Sequence, residues 1–141
     1  MNTTLSKPIL GGIIGTAIMT LLMFVAPMMG MPKMSPPEML AGMMGVPVFI
    51  GWFMHFMVGI VFAFSYVILL HRIITVSNLL LKGIIFGLIV FIFAQIMMAT
   101  MSFIFPMPKS DDSMLLMMLG SIMGHALYGA ITVKIIGHFD A

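Results

Sequence analysis

Four stretches of this chain are each apolar for about 20 residues or more, the length needed to cross a ~30 Å hydrocarbon core as a helix. They are residues 8–28, 47–70, 79–105 and 113–136, and no acid or lysine lies deep in any of them. Little is left to build a water-soluble domain. Of 141 residues, 62% are hydrophobic and 7% charged, against roughly 25% charged in an ordinary soluble domain. The expected fold is all-α: one membrane domain over residues 1–141, a bundle of four transmembrane helices embedded in a lipid bilayer. The six basic and four acidic side chains are scattered, which excludes a nucleic-acid surface. Cysteine is absent, so disulfides, iron–sulfur clusters and thiolate chemistry are excluded. Lys7 ahead of an apolar run superficially resembles a signal peptide, but the run is long enough to span and 27–30 is a poor cleavage site, so a retained first helix is expected.

Basic residues favour cytoplasmic loops. Lys7, Arg72, Lys82 and Lys134 fall at one set of helix ends, Lys33 and Lys109 at the other, which places both termini in the cytoplasm. Between the first two spans, Ser35 stands before Pro36, Pro37 and Glu38 as the expected N-cap of a short interfacial helix. Ser110, Asp111 and Asp112 form the corresponding start signal for the fourth span.

The two halves of the chain echo each other. Met31-Pro32-Lys33 recurs as Met107-Pro108-Lys109, and Gly12-Ile13-Ile14 recurs as Gly83-Ile84-Ile85. Gly51, His55 and Gly59 stand at four-residue steps in the second span; Ser121, His125 and Gly129 stand at the same steps in the fourth. Two similar helical hairpins, about 11–72 and 83–139, would then be related by an axis along the membrane normal. Small-residue faces such as Gly11/Gly15 and Gly83/Gly87 suit close helix packing, within the bundle or in a homo-oligomer or larger membrane complex.

The segments 15–20 (Gly-Thr-Ala-Ile-Met-Thr), 26–34 (Ala-Pro-Met-Met-Gly-Met-Pro-Lys-Met) and 51–59 (Gly-Trp-Phe-Met-His-Phe-Met-Val-Gly) resemble a family of small four-helix bacterial membrane proteins of uncharacterised function, common among the Bacteroidetes. The resemblance runs over most of the chain. It implies the four-helix fold and a bacterial inner membrane, and it implies no activity.

Two features suggest chemistry. Ionisable side chains within a membrane are costly and mark functional sites. His55 and His125 lie about 12 and 15 Å deep at 1.5 Å per residue, and residues four apart share a helix face. Gly51 and Gly59 therefore leave bare notches on either side of His55, and Ser121 and Gly129 do so for His125. A flat macrocycle needs such bare faces, so haem b held by both histidines between the second and fourth spans is the leading expectation, for electron transfer or an accessory role in a membrane complex. Small residues flanking a histidine also suit plain helix packing, and a purely structural subunit stays open.

The second feature is sulfur. The chain has 20 methionines, and apart from the initiator they concentrate in the outer loops and outer halves of the spans. Pairs four residues apart recur: Met19/Met23, Met39/Met43, Met97/Met101 and Met114/Met118. Thioethers favour Cu(I), and the ladders are similar to paired methionines in the membrane helices of eukaryotic copper transporters. A Cu(I) site on Met97, Met101, Met114 and Met118 is the alternative to haem, although methionine also fills irregular gaps. No catalytic constellation is visible: no carboxylate pair, no phosphate-cradling glycine loop and no serine with a base in register. The chain therefore reads as a binding or structural protein, not an enzyme.

Overall fold

A computed structural model of the chain describes residues 3–105 and 113–137. They form helices joined by short connections: α1 (Thr3–Val25), α2 (Pro36–Met44), α3 (Val48–Ser65), α4 (Leu79–Ser102) and α5 (Met114–Ile136). A 3₁₀ turn, Ala26–Met29, extends α1, and a π-helical stretch, Tyr66–Leu70, carries α3 on to Ile73. Four helices are long and apolar enough to cross a membrane: Leu5–Met29, Val48–Ile73, Leu79–Ser102 and Met114–Ile136. At most 39% of the most apolar window of any of them is buried inside the protein. Large apolar side chains such as Leu21, Phe49 and Ile92 face outward. Lipid is the solvent that suits such a surface.

Punctuation is local. Gly30 and Gly45 end their helices in the left-handed conformation, at φ 82° and 63°, which costs glycine little. Asn78 caps α4, its Oδ1 accepting from the Leu80 and Leu81 amides at 2.9 and 3.1 Å. The expected capping box before α2 does not form. Ser35 precedes the helix, but its hydroxyl is buried without a partner among the described residues and makes no cap bond. Pro36 and Pro37 supply no amide at the first two helical positions, so only the Glu38 amide remains for a cap to serve. Glu38 instead meets Lys33 at 3.6 Å, in an exposed pair. Ser110 to Asp112 lie outside the described residues; α5 starts at Met114, behind Ser113.

Around the bundle the spans run α3, α1, α5, α4, and α2 lies on α3. Three neighbouring pairs touch through small residues. A Cβ on Gly12 would stand 2.7 Å from the Ile60 Cα, and one on Gly83 2.6 Å from the Ala130 Cα, so α1/α3 and α4/α5 meet backbone to backbone. Gly11 and Gly15 bring α1 equally close to Thr132 and Tyr128 of α5. The remaining seam, α3/α4, is propped by rings: Tyr66 on Phe86 at 5.1 Å and Phe62 on Phe93 at 5.5 Å. Tyr128 ties α5 to α3 by donating to the Gly59 carbonyl at 2.5 Å.

Candidate metal site

The site is built on two adjacent faces of α1. Gly12, Thr16 and Thr20 recur every four residues and meet α3; Gly11, Gly15, Met19 and Met23 form the next stripe and meet α5. On the first face, Thr16 fills the notch at Gly59, and Thr20 reaches His55, with Oγ1 and Nε2 3.0 Å apart. Thr20 already donates its one hydroxyl hydrogen to the Thr16 carbonyl at 2.7 Å. The imidazole must therefore donate from Nε2, which leaves the lone pair of His55 on Nδ1.

His125 is held differently. Its Nδ1 lies 2.8 Å from the Ser121 carbonyl oxygen, which can only accept, so the proton sits on Nδ1 and the lone pair on Nε2. The ring stands edge-on to Phe91 of α4 at 5.7 Å. Tyr128 and Gly59, which a hydrogen bond joins, stand one turn beyond His125 on α5 and His55 on α3. The structure thus brings His55 and His125 into one neighbourhood, with opposite tautomers.

The notches beside them are full. Pro37 and Ala41 of α2 cover Gly51, where a Cβ would stand 2.9 Å from the Ala41 Cβ. Thr16 occupies Gly59, and Gly83 and Gly87 press on Gly129. Small residues here let helices approach, the use to which membrane proteins commonly put them. A porphyrin lying on these faces would need them bare, and here neighbouring helices occupy them.

Open space lies beside the methionines of α1 and α5. A cavity of about 240 Å³ opens between the end of α1, the loop after it and α5, lined by Met23, Met29, Met31, Met34 and Met123 over the bare backbone of Gly120. A neighbouring cavity of about 280 Å³ shares Met23 and Met34 and reaches Met28 and Lys33. Met19 and Met23, 6% and 3% exposed, lie against Gly124, and the Met34 sulfur stands 3.1 Å from where a Gly120 Cβ would be. The other methionine ladders do not line this cavity: Met97, Met101, Met114 and Met118 lie elsewhere on α4 and α5, and Met39 and Met43 belong to α2, with Met43 buried. Spacing alone found Met19 and Met23 but missed Met31, Met34 and Met123. The available signal was Gly120 and Gly124, four apart, opposite a methionine ladder on α1.

Trp52 stacks between Phe24 and Phe56. Ser65, Thr100 and Ser102 bond their own helix carbonyls. Among the described residues no three His, Cys, Asp or Glu side chains converge.

The chain belongs to a family of unknown function (DUF6789), which matches residues 2–140. No curated protein and no solved structure matches it.

Proposed function

We propose that this chain is a Cu(I)-binding membrane protein, which takes the ion into the thioether cavity formed by Met23, Met31, Met34 and Met123. The observation that carries the reading is the convergence of these methionine side chains from α1, its following loop and α5 around the bare backbone of Gly120 and Gly124. Thioethers are neutral, soft donors, so a monovalent soft ion binds them without the proton release a thiolate site requires. Lys33 lines the neighbouring cavity, where Glu38 offsets its charge.

Both termini lie in the cytoplasm of a bacterial cell in this reading, so that the cavity opens on the outer side of the inner membrane. The basic residues Lys7, Arg72, Lys82 and Lys134 support that orientation.

The chain is also, in this reading, a duplicated hairpin. A shift of 71 positions carries Gly12, Thr16 and Thr20 of α1 onto Gly83, Gly87 and Phe91 of α4; a shift of 70 carries His55 and Gly59 of α3 onto His125 and Gly129 of α5. Corresponding residues make corresponding contacts. Gly12 abuts Gly59 and Ile60 as Gly83 abuts Gly129 and Ala130, and Thr20 meets His55 as Phe91 meets His125. The same shifts carry Met19, Met23, Gly120 and Met123 onto Val90, Ala94, Ile50 and Phe53, none of which has sulfur.

The test is Cu(I) affinity of the purified protein, measured anaerobically in detergent against a competing chelator. Met23→Leu, Met34→Leu and Met123→Leu together nearly conserve volume and should weaken binding by about tenfold or more. Replacing Met97, Met101, Met114 and Met118 together should leave it unchanged. Wild-type copper no higher than in a metal-free membrane control would end the reading and leave a structural subunit.

A further inference from the structure

We infer that His55 and His125 form a second, inner station for the same ion, where imidazole nitrogen takes over from thioether sulfur. The inference rests on the Cu(I) reading and adds to it a place for the ion to go. One turn of α1 links the two stations. Thr20 holds His55 on α3, while Met19 and Met23 lie on Gly124, the residue before His125 on α5. Met19 to Met23 spans about 6 Å of helix axis at 1.5 Å per residue, so the buried end of the sulfur ladder lies at the level of both rings.

The hydrogen bonds suit ligation. A histidine that binds a metal donates its other N–H to a protein oxygen, which fixes the tautomer and aims the ring. Both histidines meet that condition: Nε2–H of His55 is given to the Thr20 hydroxyl, and Nδ1–H of His125 to the Ser121 carbonyl. Each ring keeps one lone pair, on Nδ1 and Nε2 respectively, and no hydrogen bond joins the two rings. A direct histidine–histidine hydrogen bond would have given the pair a purely structural explanation; here each ring is instead oriented by a separate oxygen. Two neutral imidazoles, with Met19 packed on Gly124 one residue before His125, would offer a mixed nitrogen–sulfur site that soft Cu(I) accepts. Passage between stations is ligand exchange at constant oxidation state, so it needs no oxidant, reductant or proton.

The experiment is X-ray absorption of the full-length protein loaded anaerobically with Cu(I) in detergent. Wild type is expected to hold two ions per chain with both nitrogen and sulfur neighbours. The double variant His55→Gln/His125→Gln should keep one ion with a sulfur-only shell, and the Met23/Met34/Met123 leucine variant should keep one ion with a nitrogen-containing shell. A wild-type shell of sulfur alone, unchanged in the histidine variant, would overturn the inner station while leaving the cavity intact. Two ions retained by the leucine variant would overturn the cavity and leave the histidines standing. Because the histidine variant could fail to fold, a wild-type measurement stands beside it. With Ag(I) as probe and ¹⁵N-labelled histidine, metal coupling should appear on Nδ1 of one ring and Nε2 of another, and its absence from both would sink the inference.

Discussion

Thr20 receives the 3.0 Å hydrogen bond from His55 instead of giving it, because its own hydrogen is committed to the carbonyl of Thr16. That order of donation sets the histidine's tautomer, and through it the nitrogen that stays open to a ligand.

Thr20→Val keeps the shape and removes the acceptor. The buried Nε2–H of His55 would then lack a partner, at a cost of about 1–3 kcal/mol, well above the ~0.6 kcal/mol typical of hydrogen bonds between membrane helices. Thermal unfolding in detergent should show the loss, and Thr20→Ser should restore most of it. Equal stability of the valine and wild-type proteins would mean that the bond does not hold the ring.

Glycines that touch backbone should behave differently from those that touch methionine. At Gly12 and Gly83 a new Cβ meets the Cα of the facing helix, at 2.7 and 2.6 Å, and neither helix can yield without moving as a whole. Gly12→Ala and Gly83→Ala should each destabilise by about 1–3 kcal/mol. At Gly124 the obstacle is the terminal methyl of Met23, a flexible side-chain end, so Gly124→Ala should cost less in stability but weaken Cu(I) binding. Equal thermal shifts for all three variants would remove the distinction.

Orientation can be read independently of any ligand. A reporter active only outside the cytoplasm should give signal when fused at Lys33 and none when fused after the last residue. The opposite pattern would invert the topology and move the sulfur cavity to the cytoplasmic side.

How much of this was legible beforehand varies from residue to residue. The spans were, because hydrocarbon thickness sets a minimum apolar length and that length is a property of consecutive residues. The tight contacts were half legible. Gly51, Gly59 and Gly129 were identified as bare surface, but a bare surface accepts a neighbouring helix or a flat ligand equally well, and helices took it. That His55 and His125 each stand at four-residue steps among small residues was written in the sequence, whereas their opposite tautomers depend on Thr20 and Ser121, partners that only folding supplies.

Sulfur shows the division most clearly. The sequence by itself determined that methionine collects toward one end of the spans, since that follows from where the spans begin and stop. Only the tertiary structure decided that Met23, Met34 and Met123 line one cavity, with Met19 beside Met23 on Gly124, while Met97, Met101, Met114 and Met118 lie outside it. In water, an amphipathic pattern would have announced the inner face of each helix. In lipid the outside is as apolar as the core, so a methionine ladder reads the same whether it lines a site or meets an acyl chain, and the choice falls to the shapes of the facing helices.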